Sequence, residues 1–223
     1  MKQKKIIIFM PSIEGGGVEK NLYLVSNYLA KKKLRLSLIT ISNKYKYKFH
    51  KSIKFISLPG NIWDKMTRRI KYFFSLILLI KEILSDRNVV VFSFQANLYA
   101  VIICKLFGIK IISRSNSSPS GWSKNFIKNL IYKIGLNLAD KLIVNSIEFQ
   151  KEMKRKFSIT ASHIYNPLNK KEIIKLSKKK IKSHFPKKSL KIINVGRLVD
   201  QKDQITLLKA INKIKKLFRI KLI

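Results

Sequence analysis

Two glycine-containing stretches hold the residue types that could handle a phosphorylated substrate. The later one, Gly196-Arg-Leu-Val-Asp-Gln-Lys202-Asp203, follows an apolar run that starts at Leu190. Arg197 offers a planar fork of donors and Lys202 a point charge, on one loop beside a helix start that Asp203 would cap. Such a pair suits the clamping of a pyrophosphate leaving group. The same residues also suit an exposed loop of a lysine-rich chain. The earlier stretch, Gly15-Gly-Gly17, lies between a short apolar run and a helical pattern. Glycines there let a ligand approach the backbone, and free N–H groups at a helix start attract anions. A flexible turn is the alternative.

Other chemistries are excluded. Lys20 stands where a dinucleotide fingerprint needs its third glycine, the second strand ends in Ser42-Asn43 with no acid for a ribose, and Gly-Lys-Ser/Thr is absent. His50, His163 and His184 are scattered without ligand spacing, so no metal site is expected. Cys104 stands alone in an apolar run, which excludes a disulfide framework and fits a reducing cytosol. The basic start, Met1-Lys-Gln-Lys-Lys5, leads into an apolar run over 6–10 that is too short for a signal peptide and turns at Pro11. A cytoplasmic protein is expected.

The elements that must position these residues alternate. Short apolar runs at 6–10, 34–41, 53–58, 89–94, 109–113 and 142–144 read as strands, the first as one buried on both faces. Helical spacing follows at 18–33, 62–84, 98–107, 122–138 and 147–157, the last opened by Asn145 with Glu148 as a capping box. This alternation predicts an α/β fold, a doubly wound Rossmann-like parallel sheet with right-handed crossovers. Asn166-Pro167 breaks it. Residues 170–191 hold ten lysines and one acid, Glu172, and read as a helical or extended linker. The pattern restarts at Leu190, with a strand and then a helix over 204–217.

The chain has 223 residues and a net charge of +37, from 48 Lys+Arg against 11 Asp+Glu. A polyanion partner would account for this charge. So would codon bias, since only eight of the cations are arginine and Ile and Asn are abundant. Residues 66–80 set Arg68, Arg69 and Lys71 beside Tyr72, Phe73 and Phe74, as a helix lying on anionic lipid would. A core helix packed on the sheet is the other reading. Its apolar stretch is too short to span a bilayer.

The Gly-Gly-Gly-Val-Glu loop after the first strand, Asn166-Pro167, and Val-Gly-Arg-Leu…Gln-Lys-Asp from Val195 together resemble the retaining glycosyltransferases of family 4, which have the GT-B fold. Ser113-Arg-Ser-Asn116 is similar to a segment that these enzymes carry in the inter-domain cleft. The resemblance implies residues 1–165 as the N-terminal, acceptor-side domain, 166–189 as a basic linker, and 190–223 as the incomplete start of a C-terminal nucleotide-sugar-binding domain. It implies a hexosyltransferase-type enzyme that moves a sugar from a nucleotide-diphosphate-sugar donor to a glycan or lipid-linked acceptor with retention, in cell-envelope polysaccharide synthesis. Arg197 and Lys202 would hold the donor diphosphate and neutralise charge as the sugar–phosphate bond breaks. Gly15, Gly16 and Gly17 would let their loop approach the donor phosphates and the acceptor, Gly196 would approach the donor, and Arg114 or Asn116 would face the sugar. No cofactor or divalent metal is implied.

One departure matters. The family carries two glutamates with seven residues between them, well into its second domain, and Ile223 ends this chain before such a position. The expectation is a chain without efficient transferase activity, located in the cytoplasm or peripherally on the cytoplasmic face of the inner membrane. The rival is a non-enzymatic basic module that grips anionic membrane or nucleic acid. The lysines are spread along the chain and no nucleic-acid motif is present, so no specific nucleic-acid partner is expected.

Overall fold

The computed structural model describes residues 4–95, 97–116, 126–179, 189–196 and 198–223. The chain divides into two compact units, Met1–Asn169 and Lys170–Ile223. In the first, β1 (Lys5–Phe9), α1 (Gly17–Lys31), β2 (Leu36–Ile39), β3 (Lys54–Ile56), α2 (Ile62–Lys65) and α3 (Arg68–Ser85) come first. They are followed by β4 (Val89–Ser93), α4 (Asn97–Leu106), β5 (Lys110–Arg114), α5 (Phe126–Asn137), β6 (Lys141–Val144), α6 (Ile147–Phe157) and β7 (Ser162–His163).

The seven strands form one sheet in the order β3-β2-β1-β4-β5-β6-β7, and every pair is parallel. This is the doubly wound, Rossmann-like sheet that the alternation predicts. The chain runs outward from β1 to β3, then crosses back to β4 and runs outward the other way. Ligands of open α/β sheets bind beyond the carboxyl ends of the strands at such a reversal, which here falls between β1 and β4.

Alternate residues of each strand feed two cores. Ile7, Phe9, Val91 and Ile111 pack with Leu79 and Ile83 of α3 and with Val101 and Cys104 of α4. Ile8, Met10 and Leu38 pack with Leu22 and Ala30 of α1. A third cluster joins Leu136 of α5 and Val144 of β6 to Phe149, Met153 and Phe157 of α6. Parallel neighbours usually need a helical crossover, but β2 and β3 are joined through a single 3-10 turn at Lys46–Lys48. Phe49 covers the gap, edge-on to Tyr23 at 5.0 Å and to Phe55 at 5.2 Å.

Several local expectations are corrected. The helix read over 62–84 is two helices, because Met66 and Thr67 are both extended, with ψ of 153° and 156°. The cap of α6 is Ser146, whose Oγ accepts from Phe149 N at 3.1 Å, one residue later than Asn145. β7 is a strand that the sequence reading omits. Residues 122–125 of the expected fifth helix lie outside the described residues.

The second unit holds α7 (Lys170–Ser177), β8 (Leu190–Ile192), α8 (Gln204–Ile214) and β9 (Ile220–Leu222). β8 and β9 pair in parallel. α7 occupies the beginning of the lysine-rich stretch, and α8 stops at Ile214 rather than at 217. None of this unit's described side chains is buried.

Candidate functional site

The glycine loop leaves β1 at its carboxyl end and is held from three sides. Ser12 N donates to Gln95 Oε1 at 2.9 Å, which ties the loop to the end of β4 across the point of reversal. Glu14 N donates to Glu19 Oε1 at 3.2 Å. Arg68, at the start of α3, donates through Nε to Glu14 Oε1 at 3.1 Å and through Nη2 to Oε2. Gly15 has φ of +88°, in the left-handed region that glycine tolerates. Gly16 is the N-cap of α1 and offers no side-chain cap. A Cβ on Gly16 would lie 2.9 Å from Glu19 Oε2, so the absent side chain is what lets the carboxylate fold over the helix start.

The anion site that the sequence reading places at this helix start thus already faces one of the chain's own carboxylates. Glu19 is 7% exposed, and its charge meets the positive end of α1. The sequence reading missed Glu14 and Glu19 as site residues. A glutamate three residues after the Gly16 cap is the signal that could have found Glu19. The Glu14 carboxyl is lowered to about 2, chiefly by the hydrogen bond from Arg68, with help from the Ser12 hydroxyl and against the opposing effect of burial.

Beside the loop lies a cleft of about 210 Å³ over the ends of β1 and β2, lined in part by Ser12, Glu14, Ser42, Tyr45, Asp64 and Lys71. The extended pair Met66-Thr67 turns the chain so that α2 brings Asp64 and α3 brings Lys71 to the same wall. Lys71 is 8% exposed and donates to the Asp64 carbonyl at 3.1 Å. The basic and aromatic residues of 66–80 therefore do not share one outward face. Lys71 points inward, Arg68 is paired with Glu14, and Phe74 packs against Trp63 at 5.0 Å.

Arg114 is the last residue of β5, and Asn116 follows two residues later. Arg114 is 2% exposed, and its Nη2 donates to Asn166 Oδ1 at 2.7 Å and to Ile164 O at 3.4 Å. Its Nε has no acceptor among the described residues, and burial draws the guanidinium below its ordinary pKa. In this structure Arg114 ties β5 to the Asn166-Pro167 segment rather than facing an open surface. Asn116 Nδ2 donates to Phe94 O at 3.1 Å, and Asn97 Nδ2 donates to Arg114 O at 2.8 Å. These carboxamides lace together the ends of β4 and β5.

In the second unit, Gly196 and Lys202 share one loop. A Cβ on Gly196 would stand 3.5 Å from Lys202 Cγ. Asp203, at φ of +47°, caps α8 by accepting from Thr206 N at 3.3 Å, as the sequence reading has it. Arg197 lies outside the described residues. Among the described residues no group of three His, Cys, Asp or Glu side chains converges. His50 bonds Ser52 at 2.8 Å, and His163 sits edge-on to Tyr165; His184 lies outside the described residues.

A Rossmann-like sheet with a glycine loop at its reversal, and a second unit that begins with strand, helix and strand, fit the GT-B fold. Solved structures agree in fold. The chain matches Anabaena HepE in complex with UDP and glucose at 15% identity and a TM-score of 0.66, covering 99% of this chain and 60% of that one. It matches sucrose-phosphate synthase from Thermosynechococcus elongatus at 15% identity and a TM-score of 0.73, covering 99% and 61%. It matches a glycosyltransferase from Rickettsia africae at 17% identity and a TM-score of 0.59, covering 97% and 59%. The chain thus spans about 60% of the length of these structures. No curated protein matches it by sequence. The model of Glycosyltransferase Family 4 matches residues 15–171, which is more than half of the chain, and the chain belongs to that family.

Proposed function

We propose that this chain supplies the acceptor-side domain, and the opening of the donor-side domain, of a nucleotide-sugar glycosyltransferase. The enzyme moves a hexosyl group from a nucleotide-diphosphate donor to a glycan or lipid-linked acceptor with retention, in cell-envelope polysaccharide synthesis at the cytoplasmic face of the membrane. The observation that carries this reading is the extent of the family match, which runs from Gly15 in the glycine loop past Asn166-Pro167. It is supported by the UDP-glucose held by the Anabaena HepE neighbour.

In this reading Arg197 and Lys202, with the backbone at Gly196, hold the diphosphate and stabilise charge on the leaving group. Gly15, Gly16 and Gly17 let the loop close on the donor. The cleft lined by Ser42, Asp64 and Glu14 receives acceptor hydroxyls. Arg114 positions Asn166, and Asn116 holds the β4 and β5 loops in place. The cations replace a divalent metal, so chelators leave the activity unchanged.

Gly17 supplies the test, since a Cβ added there meets nothing within 4 Å. Gly17→Ala should keep the melting temperature while placing a methyl where the donor approaches. Ligand-observed NMR with UDP- and GDP-sugars is expected to show saturable binding, weakened in Gly17→Ala and in Lys202→Ala. Turnover by this chain is expected to be far below that of a full-length transferase, and comparable turnover would overturn that part of the reading. Absence of saturable binding, or wild-type binding by both variants, would overturn the donor site.

A further inference from the structure

Two neighbouring helices carry apolar stripes on the side away from the core. In α4, Ala100, Val101 and Cys104 are buried, whereas Tyr99, Ile102 and Leu106 on the opposite side are 52%, 42% and 78% exposed. In α5, Leu136 is buried, whereas Ile127, Ile131 and Ile134 are 64%, 48% and 56% exposed. Spacings of three and four residues place each set on one helix face. α4 and α5 pack against each other. Leu98 of α4 fills the space beside Gly135 of α5, where a Cβ would fall 1.9 Å from Leu98 Cδ1. The two stripes therefore form one outward-facing apolar surface.

We infer that this α4–α5 face docks on an anionic lipid bilayer, which deepens the proposed location at the membrane and rests on that reading. Neither helix contains an acidic residue, and α5 carries two lysines, Lys128 and Lys133. The acid that closes the α5–β6 turn, Asp140, is already held by Lys105 at 2.7 Å and by Ile111 N at 2.8 Å. Exposed apolar rows with lysines and no carboxylate suit the headgroup boundary of an anionic bilayer. A second copy is a poor occupant, because two chains of +37 repel. Among the described residues no helix is long and apolar enough to cross a membrane, so the contact lies on the surface. The face also differs from α3, whose Lys71 turns inward.

The experiment is sedimentation of the chain with vesicles of phosphatidylglycerol and phosphatidylcholine, against vesicles of phosphatidylcholine alone. The wild type should bind the anionic vesicles at low salt and be released at high salt. Ile127→Gln/Ile131→Gln/Ile134→Gln and, separately, Ile102→Gln/Leu106→Gln should lower partitioning by about tenfold or more, since each removes exposed apolar area. Both should keep the wild-type circular dichroism and melting temperature. Arg69→Gln/Phe73→Gln on α3 should bind as the wild type does. If the α3 variant loses binding while the α4 and α5 variants keep it, the membrane location stands and this face is overturned. If the wild type ignores anionic vesicles, both fail. A wild-type dimer that the α5 variant dissolves would make a second copy the occupant and overturn the inference.

Discussion

Replacing Arg68 by Gln tests how the glycine loop is held. Arg68 gives Glu14 two hydrogen bonds and a positive charge, and the Glu14 carboxyl is lowered from 4.5 to about 2, first by the Arg68 hydrogen bond. Burial pushes the other way and persists in the variant. The Glu14 carboxyl should therefore rise by about two pH units, back into the ordinary carboxylate range. A shift of that size corresponds to about 3 kcal/mol at full strength. The Arg68 and Glu14 side chains are 61% and 39% exposed, so solvent screening leaves about 1 kcal/mol or less. The sign follows from the depressed folded-state value. The contribution is present above the unfolded carboxyl pKa near 4.5 and is lost as pH falls toward 2. Wild type and Arg68→Gln should differ in urea stability at pH 7 and converge near pH 2. Side-chain carboxyl NMR titration reads Glu14 directly. An unchanged Glu14 titration in Arg68→Gln would refute the claim that Arg68 sets the loop.

Three further outcomes follow from burial. Glu82 pairs with Lys5 and with Lys54, and its side chain and that of Lys5 are 13% and 11% exposed. Glu82→Gln should strand Lys5 and destabilise the first unit by about 2–4 kcal/mol in urea melts, and a neutral effect would show the pair to be dispensable. Burial pushes the Cys104 thiol up to about 12. Its labelling by a disulfide reagent should be slow in the native state and track global unfolding, whereas rapid labelling would mean that α4 opens locally. Finally, no described side chain of the second unit is buried, and a two-stranded sheet is marginal alone. Amides of β8 and β9 should exchange far faster than those of β1 and β4, and strong protection there would contradict that view.

The inner strands were legible because parallel strands buried on both faces are continuous apolar runs, whereas β7, an exposed Ser162-His163 pair, offers no such run. Residues 6–10 and 89–94 gave β1 and β4 to within a residue at either end. The α2–α3 break was not, because Ile62, Trp63, Ile70 and Phe73 keep helical spacing across Met66-Thr67, and periodicity records faces rather than backbone angles. The Ser146 cap was missed by one position because Asn145 and Ser146 are equally good caps by type. At the site, the glycines were visible but their neighbours were not. Arg68 reaches Glu14 from 54 residues away, and Arg114 reaches Asn166 across 52. Contacts of that range depend on sheet order, which local pattern does not encode. The resemblance offered Arg114 or Asn116 for the sugar, and the tie that buries Arg114 against Asn166 is a contact that only the fold shows.

The carboxylates around the first glycine loop constrain the proposed chemistry. Glu19 lies over Gly16, and its Oε1 accepts from Glu14 N. A donor diphosphate brought to Gly15–17 would meet this charge at the helix start that would otherwise attract it. In the proposed enzyme the cations that a diphosphate needs are those of the Gly196–Lys202 loop. Glu19→Gln separates the roles of the two loops. The amide oxygen keeps the hydrogen bond to Glu14 N, and the loop geometry is expected to persist, while the charge is lost. If phosphate approaches the first loop, the variant should bind nucleotide diphosphates more tightly, on the order of tenfold, as relief of about 1.4 kcal/mol of repulsion from the buried Glu19 carboxylate would give. Its stability should fall slightly, because the α1 start loses its negative partner. Affinity unchanged in Glu19→Gln and lost in Lys202→Ala would place the diphosphate on the second loop alone. The glycine loop would then serve the acceptor.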